Sequence, residues 1–294
     1  MRRWKIILTA AALALAAAGC SPGNEKEEEP VKKVEDLVIE VDQPEAAQET
    51  EQEEDKEKEE TPEQKTRTQT VVLDPGHSSV VASGTEPLGP GSTENKAADT
   101  SGTSGTVSGL TEYELNLTVS QKLRTELQNR GYTVLMTRES NDVPVSCIER
   151  ADVANNSDAD AFVRIHANGS EDSSAKGAMT ICITPDNPFY PALYEQARAL
   201  SDCIINNLSE VTGCENDGVW ETDSMSGNNW SQVPATIVEM GYMTNPDEDA
   251  LMATDDYQNK ISRELRMELT SISATDSVGD CRRNTIYPAD PGNE

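Results

Sequence analysis

Apolar positions in this chain follow two rhythms. Short runs at Thr70–Leu73, Tyr132–Thr137, Ala161–Ile165, Gly177–Ile183 and Ala235–Val238 predict strands, since strands covered on both faces read as near-continuous apolar stretches. Between them lie helical spacings. Glu112–Arg130 places Leu115, Val119, Leu123 and Leu127 four residues apart, which makes one buried stripe, and Gly131 follows where a helix-ending glycine belongs. Ser146–Asn155, Tyr190–Val211 and Asp256–Leu269 complete the predicted helices. Strands alternating with helices predict an α/β fold: a single three-layer domain over residues 68–272, with a mostly parallel twisted sheet and helices on both faces. One segment breaks the rhythm. Ser78–Gly109 is rich in Gly, Ser, Thr and Pro, and a loop of that length inside a domain is either functional or mobile.

Composition separates this domain from its flanks. Met1-Arg2-Arg3-Trp4-Lys5 is basic, and Ile6–Ala18 is apolar or small apart from one Thr. At about 13 residues the run is shorter than the ~20 a stable membrane span needs, so residues 1–19 read as an export signal. The run ends in Ala17-Ala18-Gly19-Cys20-Ser21, which resembles a bacterial lipobox and marks Cys20 for lipidation. Thioether-linked and N-linked acyl chains on Cys20 together supply the multiple chains that durable anchoring requires. From Asn24 to Arg67 there are 18 acidic and seven basic residues and no aromatic one. Such a stretch cannot bury enough surface to offset its ordering entropy, so residues 20–67 read as a lipidated cysteine plus a solvated tether. Residues 273–294 read as a flexible tail.

The chain carries a formal charge of −29, of which about −21 falls on residues 71–294. A body this acidic excludes nucleic acid as a partner. After Cys20, five cysteines remain (Cys147, Cys182, Cys203, Cys214 and Cys281), in no zinc-ribbon or C-x-x-C spacing. Cys203 and Cys214 are the nearest candidates for a disulfide.

Against this background the two histidines stand out. His77 follows the first predicted strand and His166 the third, and open α/β sheets bind ligands at the carboxyl ends of their strands. Two imidazoles delivered there point to a metal, and a catalytic zinc typically takes three protein ligands and leaves one position open. Glu112 and Glu114, one residue apart at the start of the first helix, compete to be the third. Glu239 ends the apolar strand Ala235–Val238, where a carboxylate is costly to bury without a partner. It is the candidate general base.

These segments together resemble the zinc-dependent N-acetylmuramoyl-L-alanine amidases of the amidase-3 type. The resemblance rests on Val72-Leu73-Asp74-Pro75-Gly76-His77, Gly109-Leu110-Thr111-Glu112 with Asn116-Leu117, Thr137-Arg138, Glu149-Arg150 with Ala154-Asn155, Ile165-His166-Ala167-Asn168, and Val238-Glu239-Met240-Gly241-Tyr242-Met243-Thr244-Asn245. It selects Glu112 over Glu114 and implies one Zn²⁺ per chain held by His77, Glu112 and His166, with Glu239 catalytic. It also implies a peptidoglycan substrate, cleaved between the lactyl group of N-acetylmuramic acid and L-alanine. Two departures bear on substrate detail. Ser78-Ser79 stands where the family usually has Gly-Gly, and Arg164 stands two residues before the second histidine where Ser is usual.

Arg164 is accordingly a candidate for holding a substrate carboxylate bidentately, and Asn168 and Trp230 for contacting the glycopeptide. Trp220 and Ser224–Gln232 either line that groove or pack beneath a loop. The rival readings are another zinc peptidase acting on the stem peptide, and a non-catalytic wall-binding or regulatory lipoprotein. The expected location is the outer face of the cytoplasmic membrane, facing the cell wall.

Overall fold

The computed structural model describes residues 69–265. The expected export signal, Cys20 with its expected lipidation, the expected tether and tail, and the last residues of the final predicted helix lie outside that range.

Within it a mixed six-stranded sheet is built from β1 (Thr70–Pro75), β4 (Thr133–Met136), β5 (Ala161–Asn168), β6 (Ala178–Cys182), β7 (Asn216–Glu221) and β8 (Ala235–Tyr242). Their spatial order is β4-β1-β5-β8-β6-β7. All neighbours run parallel except β6 against β8, which is antiparallel. The predicted, mostly parallel sheet is therefore present, with β7 as an added edge strand. A short hairpin of β2 (Thr85–Pro87) and β3 (Asn95–Ala97) lies within the long polar loop.

Period-two alternation splits each central strand between two cores. Val71 and Leu73 of β1, Val163 and Ile165 of β5, and Val238 and Met240 of β8 face one side. There they meet Leu115, Val119, Leu123 and Leu127 of α1 (Glu112–Asn129), the residues of the predicted stripe. Leu200, Ile204, Ile205 and Leu208 of a second helix on this side, numbered α3 (Tyr194–Thr212), extend that core. Val72, Phe162 and Ala235 face the other way, onto Ala151 and Ala154 of α2 (Cys147–Asn155). A five-residue helix, α4 (Ser226–Trp230), packs beside α2. Helices α5 (Pro246–Met252) and α6 (Asp255–Glu264) close the described chain, with α6 against α1. The result is the expected three layers.

Local chemistry sets the helix ends. Gly131 has φ +90° just past α1, the left-handed geometry a helix-terminating glycine adopts readily. At α2, Ser146 Oγ accepts from Glu149 N while the Glu149 carboxylate accepts from Ser146 N at 2.8 Å, a reciprocal capping box.

The loop over residues 78–109 is tied down along its length. Ser79 N donates to Asn141 O, Cys147 N to Ala98 O, and the Trp230 indole to Pro87 O, each at 2.8 Å. Its far end is gripped by the buried Asp249 carboxylate. That group accepts from Val107 N, Ser108 N and Ser108 Oγ at 2.6–2.8 Å.

The pair nearest in sequence is not bridged: Cys203 is disulfide-bonded, but Cys214, like Cys147 and Cys182, is a free thiol. Nearness in sequence did not select the pair, because Cys203 lies within α3 and Cys214 follows the turn that ends it.

Candidate metal centre and active site

The sheet register brings the candidate residues together. Pro75 of β1 pairs with Ile165 of β5, so the two chain segments carrying His77 and His166 leave the sheet side by side. His166 in turn pairs directly with Glu239 on β8. Glu112 comes from above, on the first turn of α1. The structure also shows why Glu112, not Glu114, points inward. The Glu114 carboxylate is occupied at the helix end, accepting from Thr111 N at 3.2 Å and Thr111 Oγ1 at 2.6 Å. Glu112 is free to turn into the site, where only 3 % of it remains exposed.

Glu112 Oε1 is the meeting point. His77 Nε2 and His166 Nδ1 both lie 3.1 Å from it, and the ring centroids are 4.8 Å apart in an edge-to-face arrangement. The ligand atoms of the three residues lie within 4.8 Å of one another, close enough to hold a metal ion. The other oxygen, Glu112 Oε2, accepts from Thr103 N at 2.8 Å. Asn116 Nδ2, one turn on, donates to Glu112 Oε1 and Gly76 O at 3.3 Å each. His77 Nδ1 faces Thr100 O at 2.8 Å; donating a proton there leaves the Nε2 lone pair directed at the other two ligands.

His77 sits at φ +59°, a left-handed conformation uncommon for a non-glycine residue and found where surrounding structure enforces it. Here the enforcement is visible. Arg150 donates to Pro75 O at 2.8 Å and His77 O at 3.0 Å. Arg138 donates to Pro75 O at 2.9 Å and Gly76 O at 3.0 Å. Two buried guanidiniums thus satisfy three successive carbonyls of the turn that carries His77. Beneath them Asp74, fully buried, accepts from Arg150 Nη1 at 2.7 Å, Arg164 Nε at 2.9 Å and Thr137 Oγ1 at 2.6 Å.

Arg164 is therefore not where it was expected. It is 5 % exposed, paired with Asp74 across the β1–β5 register, and its guanidinium packs against Gly227, where a Cβ would come within 2.4 Å of it. It does not line the cavity. Trp230 does not either; its ring packs on the core beneath α2 and its indole N–H is spent on Pro87 O. Trp220 is half-exposed on the edge strand β7. Asn168 does reach the site. It lines an open cavity of about 540 Å³ together with His77, Glu112, His166, Glu239, Gly102 and others. Thr100 and Thr103 escape sequence reading because their closest contacts with the candidate ligands, Thr100 O to His77 and Thr103 N to Glu112, use backbone atoms that any residue possesses.

Electrostatics separate the roles of the two acids. Burial alone would raise the Glu112 pKa, but hydrogen bonds with His166 and His77 bring it far below the usual carboxylate range. Glu239 has no such partner. Burial, reinforced by the nearby Glu112 charge, pushes its pKa up to about 8, and its Oε2 is shut off from solvent with no hydrogen bond. Burial takes His166 down to about 4. For His77 the burial effect is outweighed by the Glu112 hydrogen bond, leaving its pKa raised.

Fold and site define the class: an α/β domain with a His-Glu-His donor set and an unpartnered carboxylate at the carboxyl edge of its central strands. Residues 71–270 match the family model of the N-acetylmuramoyl-L-alanine amidases of the amidase-3 type, and the chain belongs to that family. It is an enzyme of that kind, acting on peptidoglycan. Among its relatives is the N-acetylmuramoyl-L-alanine amidase Rv3717 of Mycobacterium tuberculosis, 29 % identical over 70 % of this chain and 86 % of the relative. LytC of Bacillus subtilis is 27 % identical over 67 % of this chain and 34 % of its own length. The apo crystal structure of the amidase Ami1 from Mycobacterium abscessus superposes with a TM-score of 0.61 at 26 % identity, over 67 % of this chain and 94 % of that one.

Proposed function

We propose that the enzyme is zinc-dependent and cleaves the amide joining the lactyl group of N-acetylmuramic acid to the L-alanine of the stem peptide. The convergence of His77 Nε2 and His166 Nδ1 on Glu112 Oε1, each at 3.1 Å, carries this reading. Ligands bonded to zinc at ~2.0–2.1 Å in a tetrahedron lie about 3.3 Å from one another, and two imidazoles with one carboxylate form a common catalytic zinc set. When bound, zinc would polarise the scissile carbonyl and lower the pKa of a coordinated water.

The rest of the chemistry falls to side chains of this chain. The Glu239 carboxylate, in the cavity lining, accepts the proton of the attacking water as the new C–O bond forms. It then delivers that proton to the alanine nitrogen as the C–N bond breaks, giving a free carboxylic acid and a free amine. In the zinc-free site burial and the Glu112 charge raise the Glu239 pKa to about 8; a bound cation would lower it towards neutrality, which suits a group that must both take and return a proton. With no third histidine in the chain, no imidazole outside the ligand set can share this work. Asn168, at the cavity wall, is suited to orient the substrate amide. The tether and lipid anchor at Cys20 would hold the enzyme at the outer face of the cytoplasmic membrane. The basic start, short apolar run and acidic spacer of the sequence support that placement. Loss of lipid labelling in Cys20→Ser tests it.

The decisive assay is product analysis on purified muropeptides. Stem peptides with a free L-alanine amino terminus are expected; release of terminal amino acids alone would establish the rival peptidase instead. Glu239→Gln is expected to keep full zinc stoichiometry and lose ~10²–10⁴-fold in kcat. His77→Ala should lose the metal.

A further inference from the structure

The metal-binding reading leaves one buried group near the site without a task. Asp99, in the long loop between β3 and α1, is 8 % exposed, and its Oδ2 makes no hydrogen bond. Its Oδ1 lies 3.8 Å from His77 Nδ1, and its Oδ2 lies 3.8 Å from Arg150 Nη2, the same nitrogen that donates to His77 O at 3.0 Å. Its neighbour Thr100 supplies the carbonyl 2.8 Å from His77 Nδ1 and a hydroxyl at 3.2 Å. The segment is seated from both sides, with Ala98 N donating to Gly84 O at 3.1 Å and Cys147 N donating to Ala98 O at 2.8 Å. Three groups from two consecutive residues therefore converge on one face of the His77 ring. That face is opposite the nitrogen facing Glu112.

We propose that Asp99, together with the Thr100 carbonyl, is a positioning element for His77: an outer-shell carboxylate that fixes the ring's orientation and protonation pattern and strengthens Nε2 as a metal ligand. The physical reason is charge. A dication bound at Nε2 makes the Nδ1–H more acidic and more strongly donating, and a carboxylate beside it stabilises the positive charge spreading over the ring. The carbonyl alone offers a dipole; an ionised Asp99 adds a full charge, shielded from water, whose strength in that setting exceeds its surface value. Burial raises the Asp99 pKa against the opposing pull of Arg150, which lies 3.8 Å from the carboxylate while holding the backbone of His77. This proposal rests on the triad being a metal site and adds a residue from the loop that separates this chain from the usual family pattern.

The test is the zinc dissociation constant of the purified full-length chain, measured by competition with a chromogenic chelator, beside the thermal midpoint of the zinc-free protein. Asp99→Asn keeps the shape and removes the charge. It is expected to weaken zinc binding ~10–100-fold while the zinc-free midpoint shifts by no more than a few degrees. The comparison variant is Asp249→Asn, which loosens the far end of the same loop without touching His77, and it should weaken zinc several-fold less. Zinc binding in Asp99→Asn within threefold of the parent overturns the proposal. So does equal weakening in both variants, or loss of the zinc-free fold in Asp99→Asn; in either case Asp99 serves the scaffold alone. A parent chain that binds no zinc refutes the metal reading itself, an outcome visible before any variant is made.

Discussion

Replacing Asp74 with asparagine is the sharpest test of how the site is held. Asp74 is fully buried between Arg150 and Arg164, with contacts of 2.7 and 2.9 Å, and a third from Thr137 at 2.6 Å. Burial by itself would raise its pKa, but the two guanidiniums drive it far below the usual carboxylate range, so it is ionised wherever the protein is folded. Asparagine conserves volume and an acceptor but removes the charge shared by two buried cations, leaving Arg150 only the more distant Asp99 carboxylate at 3.8 Å. Removing one partner from a buried ion pair costs about 3–5 kcal/mol. In a domain of this size each kcal/mol moves the midpoint about 2–4 °C, which predicts a fall of about 6–20 °C. The assay is thermal unfolding of the zinc-free chain. The exposed pair Lys176–Glu215, 3.2 Å apart but 62 % and 56 % exposed, serves as the control. Its removal should cost less than about 1 kcal/mol. The expected sign with pH also follows: because folding lowers the Asp74 pKa, its stabilisation is present above the unfolded carboxylate value and fades only as pH falls below it. A shift no larger than that of the control would refute the claim that this hub secures the turn bearing His77.

Three further outcomes are expected. Gly102→Ala places a Cβ 2.6 Å from Glu112 Oε2 and 2.8 Å from His77 Cδ2 at a backbone φ of +73°, so zinc affinity should drop. Gly84→Ala, at φ +93° with open space around it, should cost stability alone. Glu114→Gln keeps a residue that also serves at the third position of a capping box, so stability and zinc stoichiometry should both stay close to the parent, whereas Glu112→Gln should lose the metal; equal metal loss in both would undo the assignment. In the zinc-free protein, ionising Glu239 opposes folding between about pH 4.5, its ordinary value, and about pH 8. Chemical denaturation should therefore show Glu239→Gln gaining on the parent as pH rises through that window, by a few kcal/mol at most, and a gap independent of pH would count against the raised pKa.

The layout of the central strands and of α1 was readable because burial on both faces, or on one stripe, leaves an apolar record. The same logic located His77, His166 and Glu239 at strand ends. What eluded sequence reading has little apolar record. The hairpin Thr85–Pro87 with Asn95–Ala97 and the edge strand Asn216–Glu221 are polar segments whose side chains are mostly exposed or half-buried. Arg164 was misplaced for a different reason. A charge inside an apolar strand suggests an outward contact unless its register partner is known, and here that partner is Asp74. Register is a relation between distant segments, and the individual strand does not encode it. The choice between Glu112 and Glu114 was likewise open from spacing alone, since both are first-turn acids. It closes only when Glu114 is seen bonded to Thr111.

The site's electrostatics give a reason for a metal independent of family. Among the described residues, no lysine or arginine lines the cavity; its ionisable lining is His77, His166, Glu112, Glu171 and Glu239. Arg164 does act on Glu239 through its charge, but its guanidinium is committed to Asp74. Glu112 and Glu239 line the same cavity and the Glu112 charge acts on Glu239, and like charges in a desolvated site disfavour joint ionisation. In the zinc-free site the Glu112 pKa is accordingly lowered by its histidine partners and that of Glu239 raised by burial and the Glu112 charge. A divalent cation held by His77, Glu112 and His166 would shift the balance, because its charge would favour the ionised form of every nearby acid. On the proposed reading, metal binding and activation of the base would be coupled, which predicts that the Glu239 pKa falls when zinc is added.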